Sequence, residues 1–334
     1  MLNPCSVPVF AVGVYIRIAM VFPRSRRPAG YAVVVLVAAA FLGIGAIGVS
    51  RYVGNYWLYR GFSQPVDPAY VHVHGTAETI EVASPALGGR TQPVDVYLPP
   101  GYATHPDKRY PVLYLLHGVP GRPGAFLDTV RMGVVEDELV ATRPGTEPII
   151  LVMPYGSTGS FTDKEWANGI GTGQNWETFV SRDVVNAIDR SFRAIDKPWA
   201  RGIGGLSEGG YGALNIAIHH PNEFGLVESW SGYERADDIR SIFGGRRSLL
   251  TANSPMLTLT PNAATLRANH VFFWLYTGST DDFLEQNVDF ASLLTQDRVP
   301  HRFYVTDGGH NWALWRGNAA NAYIAASNHL RPDA

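Results

Sequence analysis

Three side chains have types and positions that suit one chemistry. Ser207 sits in Gly205-Leu206-Ser207-Glu208-Gly209, a G-x-S-x-G pentapeptide. That pattern marks a nucleophilic serine on a sharp turn between a strand and a helix. In a chain with 35 glycines the pentapeptide alone is weak, so its flanks decide. The preceding "RGIGGL" is strand-like, and "EGGYGALNIAIHH", ended by Pro221, reads as a helix. A serine hydroxyl becomes a competent nucleophile only when an imidazole takes its proton and a carboxylate orients that imidazole. Asp281 follows the strand-like "FFWLYTGST", and His310 follows "HRFYVTDGG". An aspartate there could also cap the next helix, and Asp282 could take either role. The G-x-x-D spacing from Gly278 favours Asp281. The oxyanion of an acyl intermediate needs backbone donors. The Glu208 N–H, at the new helix N-terminus, is one, and "LLHGVPG" offers a second from Val119 or Gly118. His117 is expected to brace that loop.

These residues need elements that bring them together. From about Thr76, apolar runs such as "YPVLYLLHG" and "EPIILVMPYG" alternate with helical stretches. The alternation predicts an α/β domain over residues 76–334, with a mostly parallel, doubly wound sheet. Ligands of such sheets bind beyond the carboxyl ends of the strands, where Ser207, Asp281 and His310 all fall. Residues 233–270 lack a clear period and are expected to form an insertion or cap.

Composition narrows the function classes. A net charge of −2 without a basic, aromatic-laced stripe argues against nucleic-acid binding. Cys5 is the only cysteine, which excludes an internal disulfide and a cysteine metal site. His72 and His74 share a face if extended, but two histidines without a third ligand make no metal site. "GIGTGQNW" lacks the lysine of a phosphate-binding loop. No cofactor is expected. Trp166 and Trp176 either wall the active site or belong to an ordinary loop, and Trp312 and Trp315 read as core of the last helix.

The N-terminus reads as an anchor. Residues 28–50 carry no charge, and as a helix would span about 34 Å, enough for a hydrocarbon core of about 30 Å. Arg24, Arg26 and Arg27 precede it, which favours a cytoplasmic segment 1–27 and a catalytic domain outside. Translation from Met20 would leave a complete basic leader. Residues 51–75 read as a linker. The alternative is a cleaved signal peptide with Ala46-Ile47-Gly48 as its small-residue site.

"VDVYLPPGY", "YPVLYLLHGVPG", "GGLSEGGYGALNIAIHHPNEFG", "LYTGSTDDF" and "DGGHNWALW" follow one another over about residues 76–317. With the order Ser…Asp…His, the chain resembles the putative-esterase family of α/β-hydrolases. That family includes esterase D, feruloyl and enterochelin esterases and mycobacterial mycolyltransferases. The resemblance implies an α/β-hydrolase fold and a serine carboxylic-ester hydrolase, with small-molecule, lipid or sugar esters as substrates. It places Ser207, Asp281 and His310 in the triad, and Val119 and Glu208 as oxyanion amides. It leaves an acyltransferase as the alternative, although the mycolyltransferases use a glutamate where this chain has Asp281. Relatives often carry methionine after the serine, so Glu208 is expected to set a carboxylate near the site mouth and to disfavour anionic substrates.

Overall fold

The computed structural model describes residues 35–46, 66–119, 121–156, 165–236 and 242–331. The chain divides into two compact units, Met1–Arg51 and Tyr52–Ala334.

In the second unit, eight strands form one sheet. They are β1 (Thr76–Ser84), β2 (Arg90–Leu98), β3 (Val112–Leu116), β4 (Ile150–Pro154), β5 (Arg201–Leu206), β6 (Leu226–Trp230), β7 (Phe272–Gly278) and β8 (His301–Thr306). Their spatial order is β1-β2-β4-β3-β5-β6-β7-β8. From β4 to β8 every neighbouring pair is parallel, while β2 pairs antiparallel with both β1 and β4. The parallel strands β3, β4, β5 and β6 are buried at every residue. Helices covering both faces account for that burial; β3 and β4 are unbroken apolar runs, while β5 begins at Arg201 and β6 carries Glu228 and Ser229.

Strand alternation sends successive side chains to opposite faces. Val112, Tyr114 and Leu116 join one core, with α2 (Val185–Ser191), α3 (Glu208–His219), α5 (Pro255–Ala268) and α6 (Leu284–Gln296). Leu113 and Leu115 join the other, with α1 (Met132–Thr142) and α7 (Trp312–His329). The cap expected over 233–270 is therefore corrected in part. Within it, α4 covers Arg247–Ala252, and α5 buries Leu259, Ala263 and Leu266 as the crossover between β6 and β7. Its threonines and internal Pro261 blur the helical period in the sequence.

Glu228 is a fully buried acid on the side of the second core. Glu228 on β6 lies opposite Gly204 on β5, and its Oε2 accepts a bond from Trp230 Nε1 at 2.9 Å. Burial pushes its carboxyl up to about 8, only partly offset by that bond. The folded chain thus keeps a proton that the unfolded chain releases above about pH 4.5, and this contribution to stability is lost as pH rises towards 8. Glu228→Gln should gain stability relative to the wild type between pH 5 and pH 8, on the order of a few kcal/mol. Urea unfolding at the two pH values checks this; parallel pH dependences would show that Glu228 does not titrate on unfolding.

In the first unit, a helix covers residues 35–46, and its apolar side chains, Phe41 and Leu42 among them, are exposed. At about 1.5 Å per residue it extends roughly 18 Å. Among the described residues no helix is long and apolar enough to cross a membrane. The remainder of the 28–50 span lies outside the described residues, as do Cys5, Met20 and most of the linker.

Candidate active site

Ser207, Asp281 and His310 come together because β5, β6, β7 and β8 are consecutive, parallel neighbours. Whatever follows each strand emerges at the same edge of the sheet.

Ser207 links β5 directly to α3 with φ 57° and ψ −124°. This left-handed backbone is unusual for a residue with a side chain. The turn is held by Ser207 N–H donating to the Trp230 carbonyl at 3.1 Å, and by the Gly210 and Tyr211 N–H groups returning to the Ser207 carbonyl. The flanking glycines are required by contact. A Cβ on Gly209 would lie 1.8 Å from the Leu116 oxygen, and one on Gly205 would lie 2.4 Å from Gly209.

His310 Nε2 lies 2.8 Å from Ser207 Oγ, and its Nδ1 lies 3.1 and 3.3 Å from the two Asp281 oxygens. The ring is fixed edge-on between Phe283 and Trp315, each at 5.1 Å between centroids. The backbone position is set by Asn311, whose side chain accepts bonds from Ala313 and Leu314 N–H as the N-cap of α7. Asp281 is buried and accepts the Phe283 N–H at 2.9 Å, while its neighbour Asp282 is exposed. Burial acts to raise the Asp281 carboxyl, but the bonds from His310 and Ser231 outweigh it and hold the group below its ordinary value. A lowered value keeps a carboxylate ionised beside the His310 imidazole.

The β3 loop passes over the serine: a Cβ on Gly118 would lie 3.0 Å from Ser207 Cβ. Val119 follows and is 45 % exposed. The Glu208 N–H heads α3, where no earlier helical carbonyl is available to it. His117 is buried, with Nδ1 2.9 Å from the Gly118 oxygen and Nε2 3.1 Å from the Gly156 nitrogen. Gly156 N–H can only donate, so Nε2 accepts and Nδ1 carries the proton. Burial lowers this imidazole to about 4, so it stays neutral.

The Glu208 side chain departs from expectation. It is 3 % exposed, and its Oε1 accepts the Glu165 N–H at 2.9 Å, so the carboxylate does not stand at the mouth. Helical side chains lean towards the helix N-terminus, here into the protein. Trp166 is also buried, and its Nε1 donates to the His117 carbonyl at 3.0 Å, beneath the loop rather than along its wall. Trp176 belongs to the first core. His74 finds Asp67 at 2.7 Å and Asp137 at 3.9 Å in place of a second histidine. These three are the potential metal-ligating group among the described residues. Tyr97 and the Gly75 N–H already bond Asp137.

Sequence reasoning missed Ser231. It follows β6, and its hydroxyl donates to Asp281. The usable signal was its place just beyond a strand end beside β5. That requires the sheet order, which local patterns do not carry.

A mostly parallel sheet with a serine on a strand–helix turn, and a histidine and an aspartate at the ends of later strands, defines the α/β-hydrolase class. Within that class the chain belongs to the putative esterase family, which matches residues 84–325. An uncharacterized protein of Corynebacterium glutamicum is 30 % identical over 242 residues, covering 68 % of this chain and 55 % of the relative. The chain thus spans about half of that relative's length. The diacylglycerol acyltransferase/mycolyltransferase Ag85A of Mycobacterium ulcerans is 26 % identical over 87 % of this chain and 90 % of its own. Among solved structures, a ferulic acid esterase superposes with a TM-score of 0.68 at 26 % identity, covering 76 % of this chain and 99 % of that one.

Proposed function

We propose that the protein is a serine carboxylic-ester hydrolase working through an acyl-enzyme. The observation that carries this reading is the unbroken hydrogen-bonded chain from Ser207 through His310 to Asp281. Ser207 Oγ attacks the ester carbonyl as His310 Nε2 takes its proton, and Asp281 stabilises the imidazolium. The Glu208 and Val119 N–H groups bind the oxyanion. His310 then protonates the departing alcohol, and water, deprotonated by the same imidazole, releases the acid. Family membership supports ester chemistry. The acyltransferase-like relative favours a second reading, in which a sugar or lipid hydroxyl replaces water.

The reading extends to location: residues 28–50 anchor the full chain in a membrane, with the catalytic unit outside the cytoplasm. It rests on 23 uncharged residues after Arg24, Arg26 and Arg27. One experiment addresses both points. Cells expressing the full chain are fractionated, and carbonate-washed membranes are assayed on esters of graded acyl length, with and without glycerol or trehalose. Free acid is expected as the main product, in the washed membranes. Acyl-glycerol or acyl-trehalose as the main product would establish transfer, and activity released by the wash would remove the anchor.

A further inference from the structure

The turn after β6 brings a fourth side chain to the Ser207–His310–Asp281 chain. Ser231 is fully buried, and its hydroxyl donates to Asp281 Oδ2 while its oxygen lies 3.2 Å from His310 Nδ1. One hydroxyl thus touches the acid and the imidazole at their meeting point. It reaches there from a backbone with φ 58°, a conformation that residues with side chains rarely adopt. Such strain persists where the surroundings over-determine it. Here Ser231 N–H donates to the Tyr276 carbonyl on β7 at 2.8 Å, and Asn287 on α6 holds the Gly232 carbonyl at 2.7 Å. The adjoining Gly232 also packs closely against Gly210 of α3. Three elements therefore fix this turn with the hydroxyl aimed at Asp281.

We propose that Ser231 is a positioning residue for the reaction, holding the Asp281 carboxylate in the orientation that aims His310 Nε2 at Ser207. The proposal rests on the serine-hydrolase reading. The Asp281 carboxylate has three hydrogen-bond partners among the described residues: His310, the Phe283 N–H and Ser231. Without Ser231 the carboxylate can rotate about its remaining bonds, and it loses a charge-assisted hydrogen bond that disperses its charge. The surrounding titratable groups do not replace it. Burial pushes Glu234 on the same turn and Tyr276 on β7 well above their ordinary values, and the charges of Asp281 and of Asp289 on α6 add to the rise at Glu234. Asp282 is exposed.

The test compares Ser231→Ala and Ser231→Gly in the full chain. Both remove the hydroxyl, but glycine accepts the left-handed backbone without strain. Each should lower kcat by about 10- to 100-fold, the scale of loss when a reacting group is misplaced by an ångström. KM should stay within about twofold, since no substrate-binding group has been removed. The acid limb of kcat/KM should move up by about half a pH unit, because a less dispersed Asp281 charge holds the imidazolium more tightly. A Gly variant with kcat within about twofold of wild type and an unmoved acid limb would overturn the proposal. Loss in the Ala variant alone would also overturn it, assigning the effect to backbone strain. Ser207→Ala run alongside separates the two claims. If that variant still turns over ester, the hydrolase reading itself fails; if it is inactive while Ser231→Gly behaves as wild type, only the role of Ser231 fails.

Discussion

Ser207→Ala should reduce kcat for ester hydrolysis by on the order of 10⁶, with the fold intact. The size follows from the geometry. Ser207 Oγ is the atom 2.8 Å from His310 Nε2, so its removal leaves the imidazole with nothing to activate in that position. The fold should survive because the turn is held by backbone groups: the Ser207 N–H to Trp230 and the Ser207 carbonyl to Gly210 and Tyr211. Alanine keeps all of them and faces the same left-handed backbone as serine. Circular dichroism should be unchanged, while labelling by a fluorophosphonate probe disappears. The acid behaves accordingly. Asp281→Asn should cost about 10⁴ in kcat, since an amide favours the wrong tautomer of His310. Asp282→Asn, at an exposed position, should change it less than about twofold. Ester turnover surviving in Ser207→Ala would end the serine mechanism, and the reverse ranking of the two asparagine variants would exchange the roles of the aspartates.

Gly209→Ala should be the most damaging glycine-to-alanine change among the described residues. The added carbon would meet the Leu116 oxygen at 1.8 Å, the Leu116 carbonyl carbon at 2.4 Å and the His117 oxygen at 2.9 Å. All three atoms are backbone at the end of buried β3, so no side chain can rotate away. Either α3 lifts off the sheet or β3 shifts in its ladder with β4 and β5, and each displaces Ser207 from His310. Overpacking of this kind costs about 3 kcal/mol or more, a fall in Tm of roughly 6–12 °C for a domain of this size. Activity should be lost with it, because the same turn carries Ser207, the proposed nucleophile. Gly317→Ala serves as the control. It lies exposed in α7, with nothing within 4 Å of its added Cβ, and should gain up to about 1 kcal/mol from helix propensity. A Gly209→Ala protein with wild-type Tm and turnover would show that the β5–α3 turn can open without loss.

Much of the scaffold was legible because it is written locally. "VLYLL" and "ILVMP" are short apolar runs, "RGIGGL" is one after its arginine, and each is a strand of the sheet. The G-x-S-x-G pentapeptide states its own constraint, since only glycine fits on either side of a turn this tight. Asp281 and His310 were candidates in the sequence because they follow strands. The stretch 255–268 was misread for the converse reason: a crossover helix with Pro261 and several threonines carries little amphipathic period, and its burial comes from its neighbours.

The amino-acid sequence by itself determined the strands, the strand–turn–helix around Ser207 and the chain order of serine, aspartate and histidine. Each depends on residues within a few positions of one another. The tertiary structure decided that β4 lies between β2 and β3, and that β5 to β8 stand side by side. That adjacency, between segments up to about a hundred positions apart, brings Ser231 to Asp281 and His310. It also decided that Glu208 turns inward to Glu165, and that Trp315 packs on the edge of His310. Such contacts are selected by the packing of whole elements against the sheet, so no local window of sequence contains them.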